Sequence, residues 1–162
     1  MKIRKAKYKD VDGIYAVLLD MLKAEDLASQ KSAKHFLQVR KRKDDFERCA
    51  KRELLKEIRE ANSIYIVAEE NKEILAYARG AVSKNKDPFF KPIVIGHFQA
   101  LCVRNKHRGK KIASALNKKM DDWFKEKHCK LVYLEAFSKN PAVPIYKNWG
   151  YETIIYKMGK KL

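Results

Sequence analysis

The sequence predicts a three-layer α+β fold, with a mixed and mostly antiparallel sheet flanked by helices. Two amphipathic helical patterns precede a pair of strands joined by Glu70-Asn71-Lys72, a turn that is typical of an antiparallel hairpin. Further along, a helical pattern separates two strongly apolar strands, which are therefore expected to run parallel through a right-handed crossover. Because 162 residues can bury one substantial core, we expect residues 1–162 to form a single domain.

The elements follow in the order strand, two helices, three strands, helix, strand, helix and strand. Asp10 can cap the first helix, and Gly150 can end the last one, because glycine readily adopts the left-handed conformation that follows a helix. The strands are predicted at residues 2–8, 64–69, 73–82, 93–103, 130–137 and 151–158, and the helices at residues 11–22, 44–61 and 112–127 and just before Gly150. Residues 24–43 are polar and basic, and form either a helix fragment or a mobile loop.

The strand at residues 93–103 carries apolar side chains on both faces, which indicates that it is buried on both sides. Gly96 within it indicates a β-bulge or a close approach by another part of the chain. The strand leads into a basic turn that contains one glycine and opens the next helix, from Val103 to Ala113. A helix N-terminus offers unpaired N–H groups and the positive end of a dipole, and Arg108 and Lys110 add mobile charge. This stretch is either a phosphate site or an ordinary connection on a basic surface, with His107 expected to face solvent.

The charge balance favours anionic partners. Lys and Arg outnumber Asp and Glu by 37 to 20, which gives a formal net charge of +17. A general coating of solvated lysines would give the same figure, so the charge by itself does not identify a partner. Nucleic-acid binding through residues 40–43 and 104–111 is an alternative function, although no recognised nucleic-acid-binding motif is present.

Composition also excludes several classes of protein. The hydrophobic content of 46% excludes a disordered chain. No apolar run approaches the roughly 18 residues of a membrane-spanning helix, and the first residues lack the apolar core of a secretory signal. The cysteines Cys49, Cys102 and Cys129 are odd in number and lack CxxC spacing, so they indicate reduced thiols rather than a zinc site. We therefore expect a cytoplasmic protein without a metal centre and without membrane association.

Two motifs resemble those of the GCN5-related N-acetyltransferase (GNAT) superfamily, in an element order that matches over nearly the whole chain. The stretch Arg108-Gly109-Lys110-Lys111-Ile112-Ala113 resembles the family's acetyl-CoA motif of Arg or Gln, two variable positions, Gly, one variable position, and Gly or Ala. Lys111 stands where the family usually has glycine. The second motif, Ile145-Tyr146-Lys147-Asn148-Trp149-Gly150-Tyr151, is similar to the family's Leu-Tyr-x-x-x-Gly-Phe sequence.

The resemblance implies that acetyl-CoA is the cosubstrate and that its acetyl group passes directly to a primary amine of a small molecule or a protein. The residues implied in binding it are Leu101, Cys102, Val103, Arg108, Gly109, Lys110, Lys111, Ile112, Ala113 and Asn140. Lys111 can present its N–H to the pyrophosphate if its φ is negative. Asn140 either bonds the pantetheine arm or caps the following helix. A non-catalytic acyl-CoA binder is a further alternative, and a homodimer remains open.

The chemistry needs a base and an acid, because an alkylammonium group has a pKa near 10.4 and the departing thiolate must gain a proton. By resemblance, Tyr146 is the candidate acid, with packing between helix and sheet as the alternative role. The candidate base is His97, whose ordinary pKa lies near neutral pH. A histidine held by core hydrogen bonds is the competing interpretation, and Glu135 is a weaker candidate base.

Overall fold

A computed structural model describes residues 1–32, 41–85, 87–137, 140–156 and 158. The chain divides into two compact units, residues 1–23 with 43–135 and residues 24–42 with 136–162. The first unit contains the sheet and is described first. The predicted apolar group Phe36, Leu37 and Val39, and the basic residue Arg40, lie outside the described residues.

The first unit is built on a five-stranded sheet whose spatial order follows the chain. The strands are β1 (Lys2–Lys5), β2 (Ser63–Glu70), β3 (Glu73–Lys84), β4 (Val94–Val103) and β5 (Leu131–Leu134). Neighbouring strands are antiparallel except β4 and β5, which are parallel. The helices are α1 (Val11–Ser32), which ends in the second unit, α2 (Phe46–Arg59) and α3 (Ile112–Glu126). The predicted fold class, including the parallel pair, is confirmed.

The antiparallel hairpin that the sequence predicts between β2 and β3 is confirmed, and its turn consists of two residues, because β2 extends to Glu70. Asn71 and Lys72 have φ values of 50° and 65°. Positive φ at both central residues defines a type I′ turn, whose twist matches that of the flanking strands.

Helix α3 packs on one face of the sheet and approaches the backbone of β3 and β4 closely. A Cβ atom on Gly96 would lie 2.7 Å from the Phe124 ring, and one on Gly80 would lie 2.5 Å from the sulfur of Met120. Phe124, Met120 and Leu116 are almost completely buried. The close approach expected at Gly96 is therefore confirmed, and the bulge lies nearby, at Gln99.

Helices α1 and α2 cover the opposite face of the sheet. Side chains alternate between faces along a strand, so Tyr77 points away from the face on which α3 packs at Gly80. Tyr77 belongs to a buried cluster that joins α1, α2 and four strands or their connections, with members Ala6, Val11, Ile14, Val17, Leu54, Tyr65, Val67, Ile74, Tyr77 and Cys102.

Asp10 lies in a 3₁₀ turn before α1 and holds a buried charge network. Its carboxylate accepts two hydrogen bonds from Arg4, at 2.7 and 2.9 Å, and one from the backbone N–H of Lys7 at 2.7 Å. Arg4 also donates to Glu69 of β2 at 2.7 Å. The Arg4 guanidinium lowers the pKa of Asp10. The predicted capping residue therefore closes the turn that precedes the helix and ties it to the sheet.

The second unit contains the end of α1 and a short helix, α4 (Val143–Asn148). The predicted strand at residues 151–158 is wrong for the residues described, since 151–156 and 158 adopt no strand conformation. Ile155 is 77% exposed and Tyr156 is 84% exposed. A β-rich composition forms a strand only where a partner strand and a buried face stabilise it. The described residues of this segment have no ladder, and all of them beyond the half-buried Tyr151 are exposed. The segment 24–43 is helical as far as Ser32.

Candidate functional site

The second half of β4 has one edge that is not paired with β5. The parallel ladder runs only from Ile95↔Leu131 to Phe98↔Leu134, whereas β4 continues to Val103. The N–H of Arg104 donates to Leu75 of β3 at 3.0 Å. Because backbone groups alternate in direction along a strand, those of Leu101 and Val103 point away from β3, toward the open edge. These are donors and acceptors of the kind that an extended amide-containing ligand can pair with.

The Gln99 bulge lies where the two halves of β4 meet. The register against β3 moves from Arg79↔Ala100 to Gly80↔Phe98, which leaves Gln99 as the extra residue. A bulge bends the strand locally and increases its twist. It therefore coincides with the point at which β4 and β5 cease to pair.

A short 3₁₀ turn, Asn105–His107, follows β4 and leads to Arg108. The N–H of His107 donates to Arg104 at 2.9 Å and that of Arg108 donates to Asn105 at 3.2 Å. The Arg108 Nε also donates to the Val103 carbonyl at 3.2 Å. Arg108 is exposed, so its guanidinium is fixed at one nitrogen and accessible to an anion at the others.

Gly109 and Lys111 both have left-handed backbone conformations, with φ values of 77° and 58°. The negative φ that was set as the condition for Lys111 to present its N–H is therefore not met. Lysine adopts here the conformation for which glycine is favoured, at a conformational cost of about 1 kcal/mol. Apart from Gly109 and its two chain neighbours, no atom of the described residues lies within 4 Å of the position that a Cβ on Gly109 would occupy.

The loop ends at the N-terminus of α3. Ala115 makes an early helical hydrogen bond, donating to Lys111 at 3.1 Å. The N–H groups of Ile112, Ala113 and Ser114 precede it and have no acceptor within the helix. Ile112 is 3% exposed and anchors the helix in the core, whereas Gly109, Lys110 and Lys111 are exposed. Amides without an acceptor in the helix, the positive end of the helix dipole and three cationic residues (Arg108, Lys110 and Lys111) thus follow one another along this loop, and these features favour the binding of an anion.

His97 is half-buried on β4, within the part that pairs with both neighbouring strands. Its Nε2 lies 2.9 Å from the Ser83 hydroxyl, and its ring centroid lies 6.3 Å from that of Tyr133. Sequence reasoning missed Ser83, because its position beside His97, diagonally across the two strands, depends on the β3–β4 register. A hydroxyl partner can orient the imidazole and leaves the choice of tautomer open. Glu135, the weaker candidate base, is exposed just beyond β5.

Cys102 is 4% exposed, and its sulfur contacts that of Met21 of α1 within the core. Its side chain therefore contributes packing, and any contribution to a ligand comes from its backbone. Leu101 and Val103 on either side of it are half-buried.

Tyr146 and Asn140 lie in the second unit, apart from the residues above in the division of the chain. The Tyr146 ring is half-buried, with centroids 5.9 Å from Trp149 and 6.3 Å from Tyr151. The Oδ1 of Asn140 accepts the N–H of Ala142, the residue before α4, at 2.9 Å, so this side chain holds the backbone ahead of the helix and caps none of the helical N–H groups.

The turn after β4 carries a charge cluster that sequence reasoning did not identify. Glu73, the first residue of β3, forms ion pairs with Arg104 and with Lys106, the latter at 3.2 Å. The hydrogen bond from Lys106 is the main cause that lowers the pKa of Glu73. His107 was expected to face solvent. It is instead half-buried, with both ring nitrogens shielded and without a hydrogen-bond partner within the described residues.

Two other kinds of site are absent from the described residues. No helix in this part of the chain is long and apolar enough to cross a membrane. No three His, Cys, Asp or Glu side chains lie close enough together there to hold a metal ion.

Comparison with protein families matches residues 61–153 to the acetyltransferase (GNAT) domain. That range includes β2 to β5, the basic loop and Tyr146. A search of curated proteins found no match.

Among solved structures, the chain is similar to a mutant form of a Bacillus halodurans protein, with a TM-score of 0.84 and 18% identity over 100% of both chains. It is also similar to glucosamine-6-phosphate N-acetyltransferase from Arabidopsis thaliana (TM-score 0.67, 19% identity, 99% of this chain and 97% of that one). An aminoglycoside 6′-N-acetyltransferase from Acinetobacter haemolyticus gives a TM-score of 0.67 at 15% identity, over 99% of each chain. At these identities the likeness concerns the fold. The family match covers more than half of the sequence, and the chain therefore belongs to the GNAT family and is an acetyl-CoA-dependent acetyltransferase.

Proposed function

We propose that the chain acts as a single N-acetyltransferase domain that moves the acetyl group of acetyl-CoA directly to a primary amine. The observation that carries the proposal is the continuity of two features along one strand: the open edge of β4 ends in the basic loop at the head of α3. The backbone amides of β4 can therefore pair with an extended ligand, and the amides and cations of the loop that follows can bind the phosphates of the same ligand. Two proteins of similar fold act, by name, on amino sugars, which supports an amine acceptor.

The donor is held by two kinds of contact. The backbone of Leu101, Cys102 and Val103 provides the edge for the pantetheine arm, and only Leu101 and Val103 direct their amides toward it. Arg108 and the amides from Gly109 to Ala113 hold the pyrophosphate, with Lys110 and Lys111 adding charge at the rim. Asn140 supports the start of α4 through its bond to Ala142.

The transfer forms a C–N bond and breaks a C–S bond. The neutral amine attacks the thioester carbonyl, and the amine gives up its proton to His97, directly or through water. The Ser83 hydroxyl orients the imidazole of His97 through their 2.9 Å hydrogen bond. Tyr146 returns a proton to the departing thiolate, for which a phenol with an ordinary pKa near 10 is a suitable donor.

Titration calorimetry with acetyl-CoA, comparing wild type with Arg108→Ala and Arg52→Ala, tests how the donor is held. Arg52 is an exposed arginine of α2, and its replacement removes the same charge without touching the loop. We expect Arg108→Ala to weaken binding about tenfold, the loss of a charge-assisted contact to phosphate, and Arg52→Ala to bind as wild type does. A wild-type dissociation constant above the millimolar range contradicts the proposal.

The acceptor is found by screening amines, both small molecules and peptides, for release of free thiol from acetyl-CoA. Once an active amine is identified, we expect Tyr146→Phe to lower kcat for that amine and to leave the affinity for acetyl-CoA nearly unchanged. Turnover equal to that of wild type excludes Tyr146 as the acid.

A further inference from the structure

We propose that Glu73 is a positioning residue for acetyl-CoA, because it holds the turn from which the basic loop starts. The inference rests on the proposed function of that loop. Glu73 is the first residue of β3 and is remote in sequence from residues 104–113. It therefore offers a fixed point on the sheet for a loop that has little regular structure of its own.

One carboxylate oxygen of Glu73 contacts both the residue before the turn and the residue at its centre. Its Oε1 accepts from Nη1 of Arg104 and, at 3.2 Å, from Nζ of Lys106. Arg104 precedes the 3₁₀ turn Asn105–His107, and Lys106 is at its centre. The two contacts bridge sequence separations of 31 and 33 residues. Such contacts restrain the loop against the sheet in a way that its own local hydrogen bonds cannot.

Backbone hydrogen bonds carry this restraint toward the phosphate site. The N–H of Arg104 is fixed to Leu75 of β3, and the carbonyl of Arg104 accepts the N–H of His107 at 2.9 Å. The N–H of Arg108 then donates to Asn105 at 3.2 Å. The direction in which Arg108 leaves the turn is therefore set by the residues that Glu73 holds.

Replacing Glu73 has two opposite consequences for phosphate binding. Loss of the contacts loosens the turn and weakens binding, whereas loss of the negative charge frees two cations and strengthens it. The Glu73 side chain is 43% exposed, so solvent and salt screen the effect of its charge on a bound ligand. The positional effect is not screened, and we expect it to dominate.

The test compares Glu73→Gln with Glu70→Gln. Glu70 faces Glu73 across the hairpin in the β2–β3 register, and its partner is the N-terminal ammonium group at 3.2 Å rather than the loop. Both variants lose one negative charge from the same hairpin. For Glu73→Gln we expect KM for acetyl-CoA to rise about threefold with kcat unchanged, the scale of a partly exposed ion pair. Glu70→Gln should keep wild-type KM.

A double-mutant cycle with Lys106→Gln separates a local contact from a general loss of stability. If Glu73 acts through the turn, Lys106→Gln should raise KM similarly, and the double variant should be no worse than the more affected single variant. Independent, multiplicative effects contradict the inference, as does a KM for Glu73→Gln that is unchanged or lower. Circular dichroism melting curves identify any variant that is simply less folded. If wild type itself fails to bind acetyl-CoA, the proposed function fails; if wild type binds and Glu73→Gln binds equally well, only the role of Glu73 fails.

Discussion

Lys111 and Asp10 show how single residues depart from the roles that their positions suggest. Lys111 occupies a left-handed conformation at the head of α3, where its φ is 58°. The family pattern usually has glycine there, and the backbone geometry that glycine supports is present despite the substitution. Asp10 is of a residue type that caps helices and directly precedes α1, yet its carboxylate binds Arg4 and the Lys7 amide. In both cases a tertiary requirement decides the conformation.

Replacement of Lys111 by glycine should stabilise the protein. Glycine adopts a positive φ without the clash that lysine suffers, so we expect the free energy of unfolding to rise by about 1 kcal/mol. Lys111→Ala is the control, since alanine removes the charge but keeps the Cβ. Thermal denaturation should show a higher melting temperature for the glycine variant only. A melting temperature that rises equally for alanine would assign the effect to charge repulsion instead.

Acid should destabilise the protein through Asp10. Because Arg4 lowers the folded-state pKa of Asp10, its ionised form stabilises the fold above the ordinary pKa near 3.9, and that contribution is lost as pH falls through the folded-state pKa. Asp10→Asn should lower the free energy of unfolding at neutral pH by about 2 kcal/mol and flatten its decline below about pH 5.

Urea denaturation between pH 7 and pH 3 measures both effects. The matched control is Asp12→Asn, two residues along, where the side chain is 82% exposed and pairs with Lys51. That variant should keep the wild-type dependence on pH. If the free energy of unfolding falls equally steeply with decreasing pH in wild type and Asp10→Asn, other carboxylates govern acid unfolding.

At the scale of elements, the contact between α3 and the sheet depends on glycines in the strands. Gly96 lies under the Phe124 ring, and Gly80 lies under Met120. Absence of a side chain lets the helix approach the strand, and the helix in turn places its N-terminal amides at the end of β4. The distance between α3 and the sheet is therefore part of the geometry of the basic loop.

Gly96→Ala should destabilise the protein. Its Cβ would lie 2.7 Å from a ring atom of Phe124, which is 2% exposed and has little room to move. We expect a loss of about 2 kcal/mol in the free energy of unfolding, measured by urea denaturation. In a Phe124→Leu background the same change should cost less, because the smaller side chain leaves space for the methyl group. Additive losses in the double variant would show that Phe124 is not the obstacle.

At the scale of the whole molecule, the formal net charge is +17, and it should attract the phosphates that the loop is proposed to bind. Long-range attraction of this kind is screened by salt, with a Debye length of about 10 Å at 0.1 M. Glu73 pairs with both Arg104 and Lys106, so this group of three side chains keeps one net positive charge. The formal total already subtracts such carboxylates, and the cations that remain available to a ligand at the loop include the exposed Arg108 and Lys110.

Salt should weaken acetyl-CoA binding but not the binding of pantetheine, which carries no phosphate. Between 50 mM and 500 mM NaCl we expect the dissociation constant for acetyl-CoA to rise about fivefold. Titration calorimetry of both ligands measures the difference. Equal salt dependence for the two would show that the cations of the loop do not contact phosphate.

The sequence by itself determined most of the fold, because its patterns are local. Apolar and β-branched runs located the strands β1 to β5, the turn chemistry predicted the hairpin of β2 and β3, and the intervening helical pattern predicted that β4 and β5 are parallel. The basic loop was also identified from its residues and from the helix that follows it. The predicted strand at residues 151–158 failed for the described residues, because composition cannot supply a pairing partner.

Only the tertiary structure decided the relations between residues distant in sequence. The register of β3 against β4 placed Ser83 beside His97, and the end of the β4–β5 ladder at Phe98 opened the edge next to Leu101 and Val103. The joining of Glu73 to Arg104 and the positive φ of Lys111 likewise depend on how the loop meets the sheet. Such contacts depend on register, bulges and packing distances, and these are set when the strands assemble rather than by any single stretch of the chain.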